Sequence, residues 1–236
     1  MQSSSVDLGH RAEAAQYALL RRLAPAMRHD MAGGFQPVIM LATIVEKRLL
    51  SATPDLPTLV KNSHEMRTLA IAATHASLDL MGWMAPDVTA RVGLGQGIRD
   101  AVHLLATELS FKGFRFVNQT EDEATDVRRD HLRGIFVAAL LALTDAAASP
   151  TNVGITANRD GQDMLLTISL TDIETGLGAN LGANLGEAPK NEKFQIGLAA
   201  YRNIGWDDVQ ALADEDGLSV IHEAGSVMLR LPTSTT

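Results

Sequence analysis

The chain has 236 residues, 46% hydrophobic, 20% charged and only 4% aromatic, and 20 basic against 28 acidic side chains leave a net charge of −8. That length suits one large domain or two small ones, and the acidic balance argues against a surface that mainly grips phosphate backbones, so nucleic acid is not expected as a partner. With no cysteine, disulfides, thiol nucleophiles and Cys-ligated metal sites are excluded.

Residues from about Ser5 to Pro86 read as helix, with Pro54 and Pro57 marking one turn and Pro86 ending the stretch. The simplest object is a long helical hairpin. Pro25 and Pro37 are expected to kink or interrupt its first helix. Beyond Pro86 the texture is mixed. A helix over Leu94–Lys112 leads into a strand at Phe114–Asn118, and the acidic loop TEDEATD follows. Asp130 is placed to cap a helix through HLRGIFVAALLALTDAA. Strands at Asn152–Asn158 and Met164–Thr171 flank the turn residues RDGQD. The tandem LGAN repeat of Gly176–Gly186 reads as a loop, and a helix is expected from near Ile196. Strands Leu218–His222 and Val227–Leu231 close the chain around EAG. Helices interleaved with hairpin-linked strands predict an α+β protein whose second part is a two-layer α/β sandwich. The longest apolar run, Gly134–Thr144, is too short to cross a bilayer, and MQSSSVDLGHRAEAAQ has no apolar signal core. A cytoplasmic protein without a membrane partner is therefore expected.

On a helical wheel at about 100° per residue, Met31, Phe35, Val38, Ala42, Val45 and Leu49 fall within about 40° of one line, the seam of a bundle. His29 lies about 160° from that line and is displayed to solvent. An exposed imidazole is partly neutral, hence nucleophilic, at pH 7. Asp30 can orient the ring or accept its proton, and Arg28 can offer positive charge to an incoming phosphoryl group. The wheel does not single out His29, because His64 and His75 of the second helix are predicted to be equally exposed. The local motif separates them: His64 is followed by Glu65, a partial imitation, but Asn62 and Ser63 before it supply no charge and Lys61 lies a turn away, and His75 has only Thr74 and Ala76 beside it.

MRHDMAGGFQPVIMLATIVEKRL resembles the phosphoacceptor helix of two-component histidine kinases, in which a His followed by an acidic residue sits on the outer face of a hairpin that dimerises into a four-helix bundle. The segments downstream occur in the same order as in that family's ATP-binding domain of the GHKL type. VGLGQGIRDAVHLLATELSFKGFRFVN resembles its first helix and strand, and RRDHLRGIFVAALLALTDAA its N-box helix. DMLLTISLTDIETGLG resembles the strand entering the G1 box, FQIGLAAYRNI the G2 box, and GLSVIHEAGSVMLRLP the final hairpin. The resemblance implies a dimerisation and phosphoacceptor domain over residues 1–86 and a GHKL-like domain over residues 87–236. It also implies a homodimer and response-regulator receiver domains as partners.

Several positions depart from the kinase pattern. Leu141 and Asp145 stand where the N box has Glu and Asn. The G1 box is reduced to Glu174, Gly176 and Gly178, and Gly197 alone remains of the G2 pair. Gly34 stands where the family usually has Pro, and Gly33 where kinases with phosphatase activity carry Thr or Asn. The pattern is similar to phosphorelay histidine phosphotransferases of the sporulation-initiation type, which keep the kinase architecture without using ATP. In that reading His29 passes phosphate between regulator aspartates, the regulator supplies Mg²⁺, and the chain binds no cofactor of its own. Two alternatives stay open. One is a kinase core holding ATP through Asp145, Glu174, Gly176, Gly178 and Gly197; the other is a non-catalytic, pseudokinase-like binding protein.

Overall fold

The computed structural model describes residues 2–148, 151–171 and 202–233. The chain opens with α1 (Gln2–Leu49), whose last turn carries Lys47 and Arg48 against the negative end of the helix dipole. Pro25 and Pro37 lie inside α1, which continues past both, so the expected interruption does not occur. Each proline removes one backbone donor and crowds the preceding turn, and packing against neighbouring elements offsets that local cost. The turn ends at Asp55, whose carboxylate accepts from the backbone N–H and the hydroxyl of Thr58. This cap, with Pro57 in the first turn, starts α2 (Leu56–Met81) where the sequence places it. α1 and α2 meet at Gly34 and Ala73, where a Cβ built at Gly34 would lie 3.7 Å from that of Ala73, an ordinary contact distance.

Beyond the hairpin come β1 (Arg91–Gly93), α3 (Leu94–Phe111), β2 (Arg115–Asn118) and β3 (Asp126–Arg128). Next is a helical run made of α4 (Arg129–His131), a π-helical turn (Leu132–Phe136) and α5 (Val137–Ala146). Asp130 lies in the first turn of this run and Arg128 takes the cap position, two residues earlier than the sequence suggests. The strands β4 (Asn152–Asp160) and β5 (Asp163–Thr171) follow, then α6 (Trp206–Asp216), β6 (Ser219–Glu223) and β7 (Ser226–Pro232). The repeat loop and the start expected for a helix near Ile196 lie outside the described residues. Residues 202–205 are not helical, and the described helix begins at Trp206.

Five strands form one sheet in the order β2-β4-β5-β7-β6, antiparallel except for the parallel pair β2–β4. Its inner face alternates along the strands: Val153 and Ile155, then Met164, Leu166 and Ile168, then Val227, Leu229 and Leu231 are buried. Register aligns them, with Ile155 opposite Ile168 and Leu166 opposite Leu229. Period-2 burial on one face leaves the other to solvent, and α3, the π-helical turn, α5 and α6 cover the buried face as the second layer. The expected helical hairpin followed by an α/β sandwich is the fold observed. A small sheet, β1 with β3, closes one end; the sequence reading left Asp126 in the acidic loop. That loop lies over the start of α3, where Leu94 and Gly95 donate to the carbonyls of Thr125 and Glu123.

The hydrophobic core does not stop at the base of the hairpin. Ala15, Ala18, Leu19, Leu23 and Met27 of α1 belong to the same buried cluster as Leu105, Phe136 and Leu212. The first half of α1 is thus a packed wall of the sandwich, and the second half, from about Asp30 onward, carries the free part of the hairpin. Among the described residues no helix is long and apolar enough to cross a membrane.

Candidate functional site

His29 stands where α1 leaves the sandwich. Its side chain is 74% exposed, and Nδ1 lies 3.6 Å from Oδ1 of Asp30. The carboxylate thus lies on the Nδ1 side of the ring, beyond hydrogen-bond distance. Arg28 is exposed beside it. His64 and His75 are exposed on α2, as expected.

The surroundings of His29 come from a distant part of the chain. One groove of about 450 Å³ is lined by Pro25, Ala26, His29 and Asp30 of α1 and by Leu104, Thr107, Glu108, Phe111 and neighbouring Lys112 at the end of α3. A second, of about 570 Å³, joins His29, Asp30 and Gly33 to Asp79 and Leu80 of α2 and to Asp100 and His103 of α3. His64 and His75 line neither groove. The contributions of α3 recur at positions 100, 103, 104, 107, 108 and 111, the spacing of one helical face. Phe111 on this face is 83% exposed. Sequence reasoning missed these residues. Their spacing was readable, but nothing local says that the face would lie beside His29.

Below the groove sits a cluster of ion pairs. Arg22 of α1, only 3% exposed, donates through both terminal guanidinium nitrogens to the carboxylate of Glu108. Lys112 Nζ lies 3.1 Å from Glu108 Oε1 and 2.8 Å from Asp145 Oδ1, and Arg22 Nη2 is 3.7 Å from the same Asp145 oxygen. Burial disfavours ionised Glu108, but Arg22 and Lys112 together outweigh it and hold its pKa below the ordinary value. Burial likewise opposes the charge on Lys112, and Asp145 and Glu108 overcome it and raise its pKa. The cluster ties the helix bearing His29 to α3 and α5.

The positions matched to the nucleotide boxes are distributed as follows. Leu141 is wholly buried in the core and offers no oxygen to a metal. Asp145 presents its Oδ1 to Lys112 and Arg22. Glu174, Gly176, Gly178 and Gly197 lie outside the described residues.

No protein-family model matches the chain, and no curated protein matches it. Solved structures do show likeness. The nucleotide-free catalytic domain of the histidine kinase ThkA is 13% identical, with 62% of this chain and 98% of that chain covered and a TM-score of 0.41. ThkA in complex with the response regulator protein TrrA is 12% identical over 99% of this chain and 67% of the other, with a TM-score of 0.40. The Acinetobacter baumannii histidine kinase AdeS is 12% identical over 83% and 96%, with a TM-score of 0.44. A bacterial phosphotransferase is 13% identical over 96% of both chains, with a TM-score of 0.33.

Proposed function

We propose that this chain is a dimeric phosphorelay histidine phosphotransferase, and that His29 carries the phosphoryl group between the aspartates of response-regulator receiver domains without efficient use of ATP. The reading rests on the RHD motif, on the ordered resemblance downstream of it, and on one observation above all. The histidine is exposed at a groove, while the carboxylate at the N-box position gives one oxygen to cations of the chain itself. A receiver domain brings its own Mg²⁺ and phosphoaspartate, so the transferring protein needs only a positioned nucleophile.

In this mechanism Nε2 of neutral His29 attacks phosphorus in line as the P–O bond to the aspartate breaks. The aspartate leaves as a free carboxylate, and the imidazole retains its proton on Nδ1, where Asp30 stabilises the positive charge that develops. The second transfer runs the same step in reverse toward another regulator. Arg28, exposed and next to His29 in the helix, supplies positive charge to the incoming phosphoryl group. Leu141 supplies no ligand atom; Asp145 gives one oxygen to Lys112, and its other oxygen is buried without a hydrogen-bond partner among the described residues, so this helix keeps a single carboxylate where the N box has two polar groups, and no step is routed through ATP.

The test is incubation with receiver domains carrying labelled phosphoaspartate, and separately with labelled ATP, followed by mapping of acid-labile phosphate. Label on His29 from the receivers and none from ATP is expected. Label from ATP alone would establish the kinase reading, and label from neither source the non-catalytic one.

A further inference from the structure

A second cluster of ligating side chains lies away from His29, where β3 passes into α4 beside the end of α6. One ligand atom from each of Asp130, His131 and Asp216 lies within 4.8 Å of the others. His131 is 2% exposed, and among the described residues neither of its ring nitrogens has a hydrogen-bond partner. Its Nε2 is 3.9 Å from Oδ1 of Asp216. A buried imidazole with both nitrogens unpartnered is costly, and a native structure incurs such a cost for a reason.

The resident cation of this cluster is Arg128. Its guanidinium donates to the carboxylate of Asp130 and, at 3.1 Å, to Oδ1 of Asp216. It makes no bond to the His131 ring, which therefore goes unserved while both carboxylates are satisfied. The side chain of Arg128 is 25% exposed and borders a cavity of about 260 Å³ that Asp130, Asp216 and Trp83 also line, so it has room to withdraw. Directly after His131 the helix widens into the π-helical turn Leu132–Phe136, a feature that recurs at functional sites.

We propose that Asp130, His131 and Asp216 form a site for a divalent transition ion of the zinc class, bound in exchange for Arg128. One imidazole nitrogen with two carboxylate oxygens suits borderline ions such as Zn²⁺ and Co²⁺ better than Mg²⁺ or Ca²⁺, which favour oxygen alone. Bonds of about 2.1 Å in a tetrahedral shell place ligand atoms roughly 3.4 Å apart, so the cluster must close by about an ångström. Asp216 can make that movement. It is the last residue of α6, its side chain is 30% exposed, and the left-handed Gly217 follows it. Water completes the shell from the cavity side.

The experiment is calorimetric titration of the full chain with Zn²⁺, paralleled by the visible absorption of Co²⁺, on wild type, Asp216→Asn and Arg128→Met. One ion per chain is expected, with affinity falling by about tenfold or more in Asp216→Asn. Affinity should rise in Arg128→Met, because its competitor for the carboxylates is gone. His131→Gln should abolish the Co²⁺ band, with circular dichroism checking the fold of that buried substitution. The other six histidines offer a surface background that none of these substitutions touches. Zn²⁺ binding that Asp216→Asn leaves unchanged, failure of Arg128→Met to tighten it, or no binding at micromolar Zn²⁺ overturns the site.

Discussion

At His29 the division of labour is between one exposed nitrogen and one neighbouring carboxylate. Asp30 lies on the Nδ1 side of the ring, so its removal should leave the phosphorylation site in place and impair only tautomer and charge. Asp30→Asn is expected to slow phosphoryl transfer by about 10²-fold, with the label still on His29. His29→Gln should abolish the label without loss of helix content. Stopped-flow transfer rates and peptide mapping check both, and label that moves to His64 would show that the local motif had been misread. The same scale governs nucleotide binding. Leu141 has no ligand atom, and Asp145 is held by Lys112. Calorimetry with Mg²⁺–ATP should give an affinity weaker than micromolar, and a micromolar value would restore the kinase alternative.

Between elements, the Arg22–Glu108 pair joins α1 to α3 across 86 residues of sequence, beside the apolar packing of Leu23. Removing one partner leaves the other charge in a partly buried setting. Arg22→Met is therefore expected to destabilise the chain by about 1–3 kcal/mol in urea unfolding. A double-mutant cycle with Glu108→Gln should return a coupling of about 0.5–3 kcal/mol, and a coupling near zero would mean that the pair is incidental. Because the pKa of folded Glu108 is depressed, its contribution is complete above the ordinary glutamate value of about 4.3 and is lost as pH falls through the lower folded value. Wild type should thus lose stability more steeply than Glu108→Gln in that acid window. Within α1 itself, Leu23 is completely buried against the sandwich. That burial anchors the first half of the helix, on which the position of His29 depends.

For the molecule as a whole, the free half of the hairpin is half-finished. Met31 and Phe35 of the predicted seam remain 38% and 39% exposed, and Leu49, at the end of the same line, is more exposed still. A second hairpin laid on this face completes a four-helix bundle, with about 1.5–3 kcal/mol for each large apolar side chain that becomes fully buried. Light scattering at micromolar concentration should give twice the chain mass of 25.3 kDa, and Phe35→Asp should shift it to the monomer. A wild-type monomer would remove the dimer from the proposal. By contrast, the first half of α1 is sealed against the sandwich by Ala15, Ala18, Leu19 and Leu23. The groove at His29 is therefore presented as a formed surface, as the proposed docking of a receiver domain requires.

What the sequence determined by itself was periodic or local. The 3.6-residue rhythm around Met31 and Phe35 gave the hairpin and put His29 outside. The alternation in β4, β5 and β7 gave the strands, and Pro54 with Pro57 gave the turn between the two helices. Such features are legible because a few neighbouring residues decide them. Only the tertiary structure decided what lies across from what. It set α3 beside His29, joined Arg22 to Glu108 and Lys112 to Asp145, and gathered Asp130, His131 and Asp216 around Arg128. It also paired β1 with β3, two three-residue strands too short for any rhythm. These pairings are set by how the helices and the sheet close on a common core, and residues distant in sequence carry no mark of the partners that closure assigns them.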